Sequence, residues 1–216
     1  MVPMPSLRLE PTTESPMGVL DDASWVRRAM LIEQVAERYL DRSMTQAQRR
    51  AAEDVFRVAL YDGEPLVRCV LADSLKRLAN VPRDIMVDLA GDEAQVARPV
   101  LRSSPVLTDE DLVRIAREGG RAHRLAIAER QCVSLRVAET LYATLDANVV
   151  CGLLGNDGAA IAEGLLHAIL DTMSGAPGIV EAMARRRLLP VSIMDRLVHY
   201  GAAEELRPYH LTRAAG

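Results

Sequence analysis

The feature that most constrains the fold is a helical spacing of apolar residues, which continues from Ser24 almost to the end of the chain. In the first such segment the apolar positions are Trp25, Ala29, Ile32, Ala36 and Tyr39. Intervals of three and four residues place these side chains on one face of a helix. The 216-residue chain is also rich in alanine, leucine and arginine, which favour helices, and only 3% of it is aromatic. The sequence therefore predicts an all-α fold.

A second helix is predicted to begin after Thr45. Thr45 and Gln48 have the spacing of a capping box, in which each side chain bonds the other residue's backbone N–H. The residues predicted to face inward on this helix are Ala51, Val55, Val58 and Ala59. Trp25 and Phe56 are predicted to lie in the core, which leaves few aromatic side chains for stacking on nucleic-acid bases.

Short turns that contain glycine and acidic or amide residues separate the later helical segments. They occur at residues 62–64, 91–93, 118–120 and 156–158. One helical hairpin cannot bury both of its faces, so successive hairpins are expected to stack on one another. The sequence therefore predicts an α-solenoid of degenerate helical hairpins.

The predicted organisation is a leader followed by one domain. Residues 1–22 contain four of the 11 prolines and are predicted to be a flexible, disordered leader. Residues 23–216 are predicted to form a single helical-repeat domain. Within it, residues 23–61 would form N-terminal helices, residues 62–171 the stacked hairpins and residues 172–216 the C-terminal helices.

Charge, cysteine spacing and hydropathy limit the classes of partner. The net charge of −4 argues against nucleic-acid binding, which usually depends on a basic surface. The three cysteines include no CxxC pair, and an odd number of cysteines fits a reducing cytoplasm. No apolar stretch approaches the roughly 20 residues that cross a bilayer. We expect a cytoplasmic protein that has no membrane partner.

Sequence motifs for catalysis and cofactor binding are missing. The single lysine, Lys76, does not follow a glycine-rich phosphate loop, and no GxSxG nucleophile motif occurs. The four histidines are too far apart in sequence to provide metal ligands from one helix face. The sequence therefore favours a non-enzymatic protein that uses no cofactor, metal ion or small-molecule substrate.

The segment PVLRSSPVLTDEDL at residues 99–112 carries a family resemblance. Together with IAREG at 115–119 and AHRLAIA at 122–128, it is similar to a bacterial family called domain of unknown function 2336, which is typical of alphaproteobacteria. The similarity covers about residues 25–205. The resemblance implies a HEAT-like helical fold and no established enzymatic activity. The motif DGEPLVR at 62–68 also resembles the start of the second helix of a HEAT repeat.

Three arginines near the starts of successive second helices are the first candidates for partner binding. They are Arg68, Arg98 and Arg124. In a stack of hairpins they would lie along one surface, where guanidinium groups can bind anionic groups bidentately. The alternative is that they form ion pairs with acidic residues of neighbouring hairpins. The run Arg185–Arg187 is a further candidate site for an anion or an acidic partner.

Acidic residues at the start of a predicted helix form the second candidate surface. Asp109, Glu110 and Asp111 follow Thr108, where the helix dipole favours negative charge. A solvated first turn explains these acids without any partner. His123, in the sequence AHRL, faintly resembles the phospho-accepting helix of histidine phosphotransfer proteins, although a packed histidine is the simpler explanation.

The leading functional hypothesis is a non-enzymatic protein-interaction or scaffold module, with a protein partner of unknown identity and a setting in bacterial signalling or regulation. Two alternatives stay open. One is a nucleic-acid-binding protein that resembles the HEAT-like alkylpurine DNA glycosylases. The other is a phosphorelay protein that uses His123.

Overall fold

A computed structural model describes residues 25–41 and 43–200 of the chain. These residues contain 12 α-helices and no strand, and their one isolated bridge of extended backbone joins Val133 to Ala159. The all-α prediction is therefore confirmed, whereas the α-solenoid stays a prediction. The predicted leader at residues 1–22 lies outside the described residues. Every helix of residues 25–41 and 43–200 is too short or too polar to span a membrane.

The helices are numbered here in chain order. They are α1 (Trp25–Tyr39), α2 (Gln46–Leu60), α3 (Pro65–Leu75), α4 (Arg83–Gly91), α5 (Ala94–Ser103), α6 (Asp109–Glu118), α7 (Arg121–Ala128), α8 (Leu135–Tyr142), α9 (Ala147–Leu154), α10 (Glu163–Met173), α11 (Ile179–Ala184) and α12 (Val191–His199). The chain divides into two compact units, residues 1–71 and residues 72–216, and α3 runs across the boundary.

The first unit is built around the packing of α1 against α2. Phe56 and Tyr39 are fully buried, and their rings meet edge to face with centroids 5.4 Å apart. The guanidinium of Arg49 lies 4.6 Å from the centre of the Tyr39 ring, and the Tyr39 hydroxyl donates to Glu53 at 2.8 Å. The predicted capping box at Thr45 is present.

Two predictions about the faces of these helices are wrong. Trp25 is 44% exposed, because it is the first residue of α1 and stands a full turn before Ala29, the first buried residue of that helix. On α2 the buried residues are Ala52, Phe56 and Ala59, whereas the predicted inward residue Ala51 is exposed. The helix has apolar side chains on two adjacent faces, and the large Phe56 ring determines which of them turns towards α1.

The second unit consists of helical pairs that contact one another in two series. The pairs are α4–α5, α6–α7, α8–α9 and α10–α11, followed by α12. The second helices α5, α7, α9 and α11 contact each other in turn, and so do the first helices α4, α6 and α8. Buried aliphatic side chains such as Val96, Ile127 and Leu153 fill the space between the helices.

Side chains that follow the second helices cap the preceding helix of the same series. Arg130, after α7, donates to backbone carbonyl oxygens at the end of α5. Asn156, after α9, donates to the carbonyl oxygens of Ala128 and Arg130 at 2.7 and 2.6 Å. Arg186, after α11, donates to carbonyl oxygens at the end of α9. The last carbonyls of a helix have no partner within the helix, so these bonds satisfy them and align the series.

Candidate functional site

Two exposed arginines share one carboxylate at the surface of α5 and the end of α7. A terminal guanidinium nitrogen of Arg98 lies 3.8 Å from Oε2 of Glu129, and Nε of Arg102 lies 3.2 Å from the same oxygen. The side chains of Arg98, Arg102 and Glu129 are 61%, 45% and 38% exposed. Two guanidinium charges therefore face one carboxylate charge, and the group keeps a net positive charge at the surface. We call these three residues the arginine pair site.

The sequence of α5 explains why these arginines point outward. Val96, Ala97, Val100 and Leu101 are buried in the unit. Arg98 and Arg102 are four residues apart, so they lie on the same, opposite face of the helix. Sequence reasoning identified Arg98 but missed Arg102, although this spacing was visible. It could not identify Glu129, which only the packing of α7 against α5 brings near the arginines.

The other two arginines of the predicted line bind backbone carbonyl groups. Nε of Arg124 donates to the carbonyl oxygen of Ala116 at 2.7 Å, at the end of α6. Arg68 donates to the carbonyl oxygen of Asp62 at 2.7 Å. Arg98 and Arg124 stand on neighbouring helices of the second unit, whereas Arg68 belongs to the first. Arg98 is thus the member of the predicted line that presents its guanidinium group beside another exposed arginine.

Two of the three predicted acidic residues connect neighbouring helices. Asp111 closes a capping box with Thr108 at the start of α6 and accepts two bonds from Arg83 at the start of α4, at 2.6 and 2.9 Å. Glu110 accepts from Arg136 of α8 at 2.6 Å. Asp109 is half-buried next to them. The acidic turn therefore links α4, α6 and α8 through side-chain bonds.

The pKa values of both acids are lowered in this arrangement. For Glu110, the bond from its own backbone N–H and then the Arg136 guanidinium lower the pKa. For Asp111, burial raises the pKa, but bonds from Thr108 and Arg83 outweigh that effect and hold the pKa below 3.8. Both side chains are carboxylates at neutral pH.

Replacing Asp111 with asparagine is expected to reduce the free energy of unfolding by about 1–2 kcal/mol at pH 7, because a helix cap and the charge-assisted bonds from the exposed Arg83 to the buried Asp111 carboxylate are weakened together. The folded-state pKa of Asp111 lies below its ordinary value, so its contribution is present above about pH 4 and disappears as the pH falls through the folded-state pKa. Denaturant unfolding at several pH values, with Asp109→Asn as the matched control, measures this effect. Equal stability of wild type and Asp111→Asn at pH 7 would contradict it.

The ring nitrogens of His123 are both turned inward. Nε2 lies 2.8 Å from the carbonyl oxygen of Asp92, and a carbonyl can only accept, so Nε2 carries the proton and donates. Nδ1 is buried and has no hydrogen-bond partner within the described part of the chain. In this conformation Nε2 is bonded to the Asp92 carbonyl and Nδ1 is buried. A phosphorelay role for His123 stays a prediction, and it would require the ring to leave these contacts.

The run Arg185–Arg187 is divided between the interior and the surface. Arg186 is buried, whereas Arg185 and Arg187 are exposed on either side of it.

Residues 25–41 and 43–200 bring no three histidine, cysteine, aspartate or glutamate side chains into a group that could hold a metal ion.

Comparison with known proteins gives one family and no individual relative. No curated protein and no solved structure matches the chain. A family model described as "Uncharacterised protein conserved in bacteria (DUF2336)" matches residues 96–216, which is more than half of the chain and includes the arginine pair site. The chain therefore belongs to this bacterial family, domain of unknown function 2336, as its central motif predicted.

Proposed function

We propose that this protein is a non-enzymatic interaction module, which binds an acidic segment of another protein in the bacterial cytoplasm. The observation that carries the proposal is the arginine pair site, where Arg98 and Arg102 are exposed and share the single carboxylate of Glu129. A guanidinium group presents a planar fork of donors that fits a carboxylate with two bonds. A partner carboxylate would balance the remaining positive charge.

The charge distribution between the helices supports an acidic partner. Helices α5 and α7 contain four arginines and no acidic residue, whereas α6 contains four acidic residues and two arginines. The chain as a whole has a net charge of −4. A surface that is locally positive on an acidic protein would attract an acidic segment of a partner.

The predicted α-solenoid supports the use of this surface by a protein partner. Stacked hairpins present a row of exposed helices along one side, and such rows commonly bind extended segments of other proteins. A partner bound at α5 and α7 could continue along the neighbouring helices of the same series. This is consistent with a scaffold role in signalling or regulation.

Replacing both arginines with glutamine is expected to reduce partner recovery at least tenfold, because two desolvated charge-assisted bonds are lost. The experiment is affinity capture from the bacterial cytoplasm followed by mass spectrometry, with wild type, Arg98→Gln/Arg102→Gln and a control compared directly. The control is Arg114→Gln, since Arg114 is a similarly exposed arginine of α6 that pairs with Glu118.

The recovered protein should carry an acidic segment that cross-links to α5 or α7, and its recovery should fall as salt is added. Equal recovery with wild type and the double variant would overturn the arginine pair site as the binding surface. An equal loss of partner recovery with Arg114→Gln would also overturn it, because Arg114 lies outside the arginine pair site.

A nucleic-acid-binding role is the alternative that also uses exposed arginines. It predicts that duplex DNA binds at about 50 mM salt and is released as the salt concentration rises. A titration of the full chain with labelled duplex DNA tests this directly. Absence of binding at that salt concentration would eliminate the alternative, whereas binding that Arg98→Gln/Arg102→Gln abolishes would favour it over a protein partner.

A further inference from the structure

The first unit carries an open apolar groove between α1 and α2. Its volume is about 630 Å³, and it is lined by Leu31 and Val35 of α1, by Met44 of the connecting loop, and by Ala51 and Val55 of α2. Leu31, Val35, Met44 and Val55 are only half-buried, and Ala51 is exposed. This is the face of α2 that the apolar spacing predicted to point inward, so the groove accounts for a stripe of apolar residues that α1 does not cover.

Exposed apolar side chains are concentrated in the same unit. Of the 12 large exposed hydrophobic residues in the described part of the chain, six lie between residues 25 and 66. They are Trp25, Val26, Met30, Leu40, Tyr61 and Leu66. These side chains do not line the groove, but they show that this part of the chain keeps apolar surface outside its core.

The side chains that line the groove differ in size between its two walls. On α1 they include Leu31 and Val35, whereas α2 contributes two small residues, Ala51 and Ala52, beside the larger Gln48 and Val55. Dense helix packing places large residues against small ones. A second hairpin, related by a twofold rotation about an axis along the hairpin, would place its Leu31 and Val35 over Ala51.

The charged residues at the rim of the groove are also complementary between two copies of the hairpin. Arg38 and Asp41 both line the groove at the loop end of the hairpin, and they carry opposite charges. The Ser43 backbone N–H donates to Asp41 at 2.8 Å and lowers the pKa of that carboxyl, so it is ionised at neutral pH. In a twofold pair the arginine of each hairpin meets the aspartate of the other, as an isologous interface requires.

We propose that a second copy of this chain occupies the groove, so that the α1–α2 hairpins of two protomers form a four-helix bundle. Leu31 and Val35 of one protomer pack over Ala51 of its partner, and Arg38 pairs with Asp41 across the interface. This surface belongs to the first unit and does not involve the arginine pair site, so the dimer goes beyond the proposed partner binding and does not depend on it.

Replacing Ala51 with glutamate is expected to raise the dimer dissociation constant at least a hundredfold, because the dimer would bury an unpaired carboxylate in an apolar contact. Sedimentation velocity of the full chain over about 1–100 µM measures the constant. Val55→Glu, one turn further along the groove, is a second variant with the same expected effect. Ala122→Glu, at an exposed position of α7, is the matched control and should leave the dimer unchanged. Circular dichroism verifies that each variant is folded.

A charge exchange tests the predicted geometry of the dimer. Arg38→Asp alone should weaken the dimer, and the double variant Arg38→Asp/Asp41→Arg should restore it, because the cross-pair is rebuilt with its signs reversed. A wild-type chain that is monomeric at about 100 µM would overturn the proposal and assign the groove to another occupant. A dimer that survives both Ala51→Glu and Val55→Glu would also overturn it, since the interface would then lie elsewhere.

Discussion

Replacing Arg186 with methionine is expected to lower the free energy of unfolding of the second unit by about 3–5 kcal/mol. The side chain is only 9% exposed, and its guanidinium donates to the carbonyl oxygens of Leu153, Leu154, Asn156 and Ala159. Three of these bonds measure 2.9–3.1 Å. Methionine has a similar length but no donor, so it would leave the end of α9 with buried carbonyl groups that lack partners.

The adjacent arginine provides a matched control. Arg187 is exposed, so Arg187→Met removes the same charge at almost the same place and should change stability by less than about 0.5 kcal/mol. The loss of unfolding free energy with Arg186→Lys should lie between the losses with Arg186→Met and Arg187→Met, because a lysine keeps the charge but cannot span the same set of carbonyls. Urea unfolding followed by circular dichroism gives the free energies. Equal effects of Arg186→Met and Arg187→Met would show that charge, and not the carbonyl bonds, determines the stability.

The starts of several helices could be predicted from sequence because their signals are local. The capping boxes at Thr45 and Thr108 involve residues three positions apart, and both are present. Pro65 begins α3 as expected, since a proline has no N–H to lose in the first turn of a helix. Such signals act within one turn and do not depend on the rest of the fold.

The buried faces of the helices were harder to predict where alanine is abundant. Alanine is compatible with both the interior and the surface, so the spacing on α2 permits two inward faces that differ by one residue. Both Phe56 and the stripe that begins at Ala51 were predicted to point inward, whereas the structure buries Phe56 and leaves Ala51 exposed. Only the partner helix decides between them, because the aromatic ring needs the edge of Tyr39 to pack against.

Sequence spacing could identify only some of the residues of the candidate site. Arg98 was identified from its place near the start of a second helix, but its neighbour Glu129 comes from another hairpin. The pair of Arg83 with Asp111 likewise joins residues 28 positions apart. Such pairs follow from the register between helices, which local spacing does not contain. The predicted use of Asp111 as part of a partner surface overlooked its place in this contact.

Replacing Gly158 with alanine is expected to lower the free energy of unfolding of the second unit by about 2–4 kcal/mol. An added Cβ would stand 1.9 Å from the carbonyl oxygen of Gln131, which is backbone and cannot rotate away. The same two segments are joined by bonds from the Val133 N–H to the Gly158 carbonyl at 3.2 Å and from the Ala160 N–H to the Val133 carbonyl at 2.8 Å. To relieve the clash, the segments must separate and stretch these bonds.

A second glycine of the same unit distinguishes this clash from the general effect of a glycine-to-alanine change. Gly164, in α10, has open space around its added Cβ, so Gly164→Ala should stabilise the chain by up to about 1 kcal/mol through helix propensity. Thermal unfolding and hydrogen exchange of the Val133 and Ala160 amides measure the two variants. If Gly158→Ala leaves the protection of both amides at its wild-type level, the close approach to Gln131 does not hold these segments together. If protection falls at those amides and not elsewhere, glycine is required at this position because the Gln131 backbone occupies the space that a side chain would need.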